Sequence, residues 1–211
     1  SVDAPYRIDI IDTSKKYSSL EKIKESNLPT QIKLALISNH IPELFKKIKD
    51  SFIEIFTQVE DLKIEPYESE DLPSFLAKYP FVQIKERGVN NWINQNKLSS
   101  GMFRTLLHIS DIYLSADGTV ILIDEFENSL GVNCIDIVTE LLFENKNIQF
   151  IITSHHPYII NNIGMEYWKI VTRRGGVVTA KDAKDYELGK SRHEAFMQLI
   201  NLDAFKEGIE V

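Results

Sequence analysis

Thr119–Ile123 is an almost wholly apolar, mostly β-branched run, and two adjacent acids, Asp124 and Glu125, follow it at once. Such a run suits a strand buried on both faces of a parallel sheet. Acids at the C-terminal end of that strand stand where open α/β sheets bind ligands. One strand end can therefore present a metal-site carboxylate and a general base side by side. The same two residues also read as the solvated start of a loop, so the neighbouring segments matter.

Downstream, Val132–Phe143 has the spacing of a helix with Ile135, Val138, Leu141 and Leu142 inward, and Asn145–Asn147 closes it. Gln149–Thr153 is a second apolar strand, with Ser154, His155, His156 and Pro157 at its end. Strand, helix and strand at this spacing predict a right-handed βαβ unit with parallel strands. Asp124, Glu125 and His155 then lie near one sheet edge, although a histidine there could also cap a loop. Upstream, Leu98–Thr105 reads LSSGMFRT and leads into a helix through Leu114. Ser99 and Ser100 are N-cap types, and Gly101 lets other groups approach the backbone closely. A helix N-terminus with free N–H groups and hydroxyls binds anions; a plain helix cap is the alternative. Residues 116–118 (ADG) form a turn into the central strand.

The remaining chain reads as mixed α/β. Tyr6–Ile11 predicts a strand, and Asp12–Ser26 a loop or short helix. Pro29 opens a helix to about Asn39, as Pro is accepted in a first turn. Ile41–Phe56 is amphipathic, with Ile41, Leu44, Phe45, Ile48, Phe52, Ile55 and Phe56 on one stripe and Lys46, Lys47 and Lys49 off it. Asp61–Glu65 and Phe81–Glu86 alternate like half-buried strands, with Ser69–Pro80 an acidic excursion between them. Arg87–Lys97 turns back, with Trp92 and Ile93 expected to anchor it in the core. Tyr167–Arg173 and Val177–Ala180 predict a hairpin around Gly175 and Gly176, with Arg173 and Arg174 at a solvated tip. Ser191 to Glu194 fits a capping box opening a helix to about Asn201, with His193 at the surface. The expected organisation is an N-terminal, lid-like α/β and helical subdomain over residues 1–90 and a C-terminal lobe over residues 91–211.

The 211 residues carry a formal charge of −7, so no global basic signature marks a nucleic-acid binder. Cys134 is the sole cysteine, which excludes an internal disulfide and suits a reducing compartment. No apolar run approaches the roughly 18 residues of a membrane span. The start, SVDAPYRIDI, is not a signal peptide, and its lack of Met points to a processed chain or a piece of a longer one.

Taken together and in order, these segments resemble the C-terminal half of an ABC-type ATPase head over roughly residues 80–175. LSSGMFRT looks like the signature motif, Val120–Glu125 like Walker B with its catalytic glutamate, and Glu127–Gly131 like the D-loop. FIITSHHP looks like the switch-histidine segment, with His155 the better match and His156 one register away. The DEFEN and SSGM forms look most like AAA_21/OLD-like prokaryotic ATPases, which include those of Septu-type and retron-associated antiphage systems. The implied fold is α/β and P-loop NTPase-like, a mixed sheet with flanking helices and a smaller α/β subdomain.

The resemblance implies ATP sandwiched between two heads, with Mg²⁺ held by Asp124. Glu125 would orient or deprotonate the attacking water, and His155 would contact the γ-phosphate. Ser99, Ser100 and Gly101 would bind the γ-phosphate of ATP held by the opposite head, and Ser129 would couple the two sites. These are the positioning and electrostatic roles that phosphoryl transfer requires. The implied partners are a second head in a homodimer or higher homo-oligomer, an effector such as a nuclease or toxin, and DNA or RNA, with no membrane. The motif departs from the family pattern at Ser100, in place of the second signature glycine, at Met102, and at Gly131. No GxxxxGK[ST] occurs in these residues, so the backbone cradle and lysine for the β- and γ-phosphates come from upstream in a longer chain, which the resemblance favours, from another chain, or not at all. Two other readings stand beside the ATPase: a non-hydrolysing regulatory or assembly module, and a metal-dependent nuclease built on Asp124 and Glu125.

Overall fold

The computed structural model describes residues 10–66, 78–129, 138–142, 144–154, 156–186, 188–189 and 191–201. They belong to two compact units, Ser1–Ile152 and Thr153–Val211.

The first unit is built on a helix that is apolar around its circumference. α1 (Ile10–Lys16) and α2 (Leu20–Glu25) lead to α3 (Thr30–His40), which Pro29 opens. Ile32, Leu34, Leu36 and Ile37 of α3 are fully buried. A helix without a polar face needs partners on all sides. α3 finds them in α1, α2, α4 (Pro42–Ile55), α5 (Ser100–Leu114), β1 (Val59–Pro66) and β2 (Pro80–Glu86). α4 contributes Ile48, Phe52 and Ile55 from its expected stripe, and each such side chain is worth about 1.5–3 kcal/mol when fully buried. Off that stripe, Lys46 pairs with Asp50 at 2.6 Å and Lys49 with Asp61 at 3.0 Å.

β1, β2 and β3 (Ile93–Asn94) form an antiparallel sheet in that order, pairing Leu62 with Ile84 and Ile84 with Ile93. The expected strands at 61–65 and 81–86 are therefore present and paired. Trp92 and Ile93 do not reach the core; both are half-buried. Ile93 is held by strand pairing instead, and the Trp92 ring lies under the Lys63 ammonium at 4.6 Å. The strand expected over Tyr6–Ile11 is corrected where it is described: Ile10 and Ile11 begin α1. Its remaining residues, and most of the 69–80 excursion, lie outside the described residues.

β4 (Val120–Ile123) and β5 (Gln149–Ile152) pair in parallel, Ile121 beside Phe150 and Ile123 beside Ile152, as a βαβ unit requires. The turn into β4 places Gly118 at φ +81°, where a side chain is strained. Its N–H donates to the Asn147 carbonyl at 2.7 Å, which ties the two strand entries together. α6 (Phe126–Ser129) follows β4 and packs on α5. Residues 138–142 form α7 within the predicted connecting helix, whose residues 132–137 and 143 lie outside the described set. Burial of β4 on both faces is not observed. Ile123 is buried, but Val120, Leu122 and Ile151 are 49%, 74% and 48% exposed. Side chains alternate across a strand, so the face carrying Ile121 and Ile123 meets the core while the other faces outward.

In the second unit, α8 (Pro157–Asn162) precedes the hairpin of β6 (Lys169–Arg174) and β7 (Val177–Asp182), whose loop is Gly175 and Gly176. α9 (Arg192–Leu199) starts from Ser191, whose hydroxyl accepts from the Glu194 N–H at 3.1 Å. Ile160, Ile170, Ala183, Phe196 and Leu199 form the core of this unit. Among the described residues no helix is long and apolar enough to cross a membrane.

One carboxyl is partly buried against α3. Asp111 of α5 accepts a hydrogen bond from the Thr30 hydroxyl. Burial pushes its carboxyl above the ordinary range, against the opposing pull of that hydrogen bond, His108 and Lys33. The folded state therefore keeps the Asp111 proton to higher pH than the unfolded chain does. Its contribution is fully present below the ordinary carboxylate range and is lost as pH rises through the raised value. Asp111→Asn keeps the acceptor and removes the charge. The variant should match the parent in thermal stability at acid pH and exceed it at neutral pH. Melting curves across pH check this, and a variant less stable at neutral pH would contradict it.

Candidate functional site

β4 ends at Ile123, and Asp124 and Glu125 follow, both exposed. Phe126, the next residue, is 1% exposed and begins α6. The chain must swing from strand to helix within two residues to bury that ring. It does so with Glu125 at φ +48°, the one non-glycine residue with positive φ among the described residues. For an L-residue the left-handed region costs about 1–2 kcal/mol, and such costs concentrate at functional sites. The parallel register places Ile152 beside Ile123, so the chain leaves β4 and β5 at the same sheet edge.

Ser99 is the N-cap of α5, its hydroxyl accepting from the Met102 N–H at 3.1 Å and its carbonyl from the Phe103 N–H at 3.1 Å. A helix leaves its first N–H groups without intrahelical partners, and those of Ser100 and Gly101 are directed out of this end. A Cβ built at Gly101 meets nothing within 4 Å, and its φ is not positive. Neither packing nor backbone conformation within this chain calls for glycine there. A side chain at Gly101 would extend into open space.

Ser129 is the last residue of α6. His155 and Gly131 lie outside the described residues, as does the side chain of His193. The neighbouring His156 is described: its N–H donates to the Ser154 hydroxyl at 3.1 Å, and its carbonyl accepts from the Ile160 N–H at 3.2 Å at the start of α8. The expected approach of His155 to Asp124 and Glu125 is therefore an expectation about residues not described. Among the described residues, no group of three or more His, Cys, Asp and Glu could hold a metal ion. A single carboxylate is nonetheless sufficient protein ligation for Mg²⁺ when phosphates complete the shell.

The sequence reading missed what anchors this region. Gln31 is 8% exposed, and its Nε2 donates to the Pro80 carbonyl at 2.6 Å and to Gln95 Oε1 at 2.9 Å. The same Gln95 oxygen accepts from the Val82 N–H at 3.1 Å. The only hint in the sequence is a glutamine at the head of an otherwise apolar helix. The left-handed backbone of Glu125 had no signal at all, because Glu is not a residue chosen for that conformation.

Two substitutions separate folding from function here. Gly101→Ala should raise stability by about 0.5–1 kcal/mol, the ordinary helical gain, because nothing occupies the space. Glu125→Gly should raise it by about 1 kcal/mol through relief of the left-handed backbone, a gain of about 2–4 °C in Tm. Thermal melts check both; a lower Tm for either would mean that the local backbone is not the governing factor.

The AAA_21 family model, described as "AAA domain, putative AbiEii toxin, Type IV TA system", matches residues 31–161. No curated protein matches the chain. Among solved structures, it is similar to one from work on ATP-driven dimerization and DNA-stimulated activation of SMC ATPases, at 18% identity over 75% of this chain and 92% of that one, with a TM-score of 0.48. It is also similar to the SMC head bound to the C-winged helix domain of ScpA, at 19% identity, 84% coverage of this chain and a TM-score of 0.48. The similarity spans 55% of that second chain. With most of its length matched, and with the mixed α/β architecture of a P-loop NTPase-like ATPase domain, the chain belongs to the AAA_21 family.

Proposed function

We propose that this chain is the signature-bearing part of an ABC-type ATPase head that binds and hydrolyses ATP at a head-to-head dimer interface. The observation that carries the reading is the end of β4, where Asp124 is followed by Glu125 held in the left-handed region. Asp124 would hold Mg²⁺, which would supply neutralisation of the charge on the nucleotide phosphates. The Glu125 carboxylate orients the attacking water and takes its proton. Ser99, Ser100 and Gly101 present a hydroxyl and N–H groups to the γ-phosphate of ATP held by the opposite head. The empty space over Gly101 supports this, since a phosphate can approach only where no Cβ stands. Ser129 couples the two sites, and His155 contacts the γ-phosphate. Residues 1–90 form the lid-like part, and residues 91–211 carry the signature, Walker B, D-loop and switch-histidine segments.

The exposed β4–β5 face supports a further part of the reading. Parallel sheets are covered on both faces, yet Leu122 is 74% exposed. The P-loop-bearing element packs there and extends the sheet, in cis or in trans. The assembled head gates a partner activity on nucleic acid in antiphage defence. The sequence holds no GxxxxGK[ST], which motivates a second reading, a regulatory module that never turns ATP over.

Glu125→Gln in the complete P-loop-bearing protein tests the choice. Turnover should fall about 10²- to 10⁴-fold, the usual contribution of a general base, while ATP and the dimer are retained. Unchanged turnover would remove Glu125 from the role of base. A complete protein without nucleotide affinity would favour the regulatory module.

A further inference from the structure

Two consecutive side chains at the head of α3 grip α5 at its entry and in its last turn. Gln31 holds Gln95 and the Pro80 carbonyl, while Gln95 also holds the Val82 N–H. Gln95 opens the short 3-10 turn Gln95–Lys97, whose end is closed by the Leu98 N–H on the Gln95 carbonyl at 3.1 Å. Ser99, the N-cap of α5, comes next. At the other end, the Thr30 hydroxyl donates to Asp111. A helix held at two separated points by directional bonds can neither slide nor pivot freely. The holder is itself immobilised, because α3 is packed on all sides.

Stability alone does not explain amides at this place. Replacing both partners of a buried hydrogen bond by apolar groups of similar shape can be nearly neutral, and Ile32, Leu34 and Leu36 show that the surroundings accept apolar side chains. Hydrogen bonds specify direction where apolar contacts permit several arrangements. The structure specified is the approach to Ser99–Gly101.

We infer that Thr30 and Gln31 are positioning residues for the anion site at the N-terminus of α5. They fix the axis and the entry of α5, so that the Ser99 hydroxyl and the Ser100 and Gly101 N–H groups are aimed at the phosphate of the opposite head's nucleotide. The inference rests on the signature role proposed above for Ser99–Gly101.

The test is a double-mutant cycle in the complete P-loop-bearing protein, carried on the Glu125→Gln background, with Mg²⁺ and ATP as the probe. Three quantities are measured: Tm, ATP affinity at concentrations where the protein is monomeric, and the ATP-dependent dimerisation constant. Ser99→Ala should weaken dimerisation about tenfold or more, the loss of one hydrogen bond to a charged group. Gln31→Met and Thr30→Val should each weaken dimerisation several-fold and leave monomer ATP affinity unchanged. The loss in Gln31→Met combined with Ser99→Ala should fall short of the product of the two single losses, because the Ser99 hydroxyl is one of the groups that Gln31 aims. If Gln31→Met does not fold, Thr30→Val completes the same cycle. Losses that multiply in the double variant would overturn the positioning role, as would single variants that dimerise normally. Normal dimerisation of Ser99→Ala would overturn the signature reading itself, and the inference with it, whatever Gln31 does.

Discussion

Helix α3 has no face to give to solvent, and the first unit follows from that constraint. Ile32, Leu34, Leu36 and Ile37 point in different directions around one axis, and all are buried. The amphipathic α4 covers one side with Ile48 and Phe52, the antiparallel sheet another, and α5 a third. In the first turn, Thr30 and Gln31 bond to α5 and to the segments that lead into it. Apolar packing determines that α5 lies against α3; the two polar side chains restrict where along α3 it can lie.

Folding and chemistry conflict at two places. Gly101 gives up helix propensity although no neighbour requires the space. Glu125 occupies a backbone region better suited to glycine. Each is a local defect judged by stability, and each falls on a residue to which the proposed function gives a role. The rest of the unit offsets such defects easily, since one buried leucine or isoleucine contributes as much as both cost together.

Local signals made a large part of the fold legible in the sequence. The α5 N-cap at Ser99, the α9 cap at Ser191, the hairpin at Gly175 and the α4 stripe depend on residues within a few positions of one another. The parallel pairing of β4 and β5 was legible too, because strand, helix and strand at short range allow few topologies. What failed depended on distant partners. Ile10 and Ile11 suit a strand by composition but begin a helix. Trp92 is large and apolar, yet it sits half-exposed with Lys63 on its ring. Nothing adjacent to Gln31 announces Gln95 or Pro80. The position of the acids at the end of β4 was legible from residue type and strand pattern, whereas the left-handed backbone at Glu125 was not.

The correction at β4 has a physical meaning of its own. A strand's composition responds to every surface that it touches in its working state. Val120, Leu122 and Ile151 are of the kind found between two layers, but among the described residues they stand exposed while Ile123 on the opposite face is buried. Two parallel strands with one bare face expose apolar surface that burial would remove from water at about 25 cal/mol per Å². The same strands end at the sheet edge that carries Asp124 and Glu125. A layer that covered the bare face would thus also stand beside the acids.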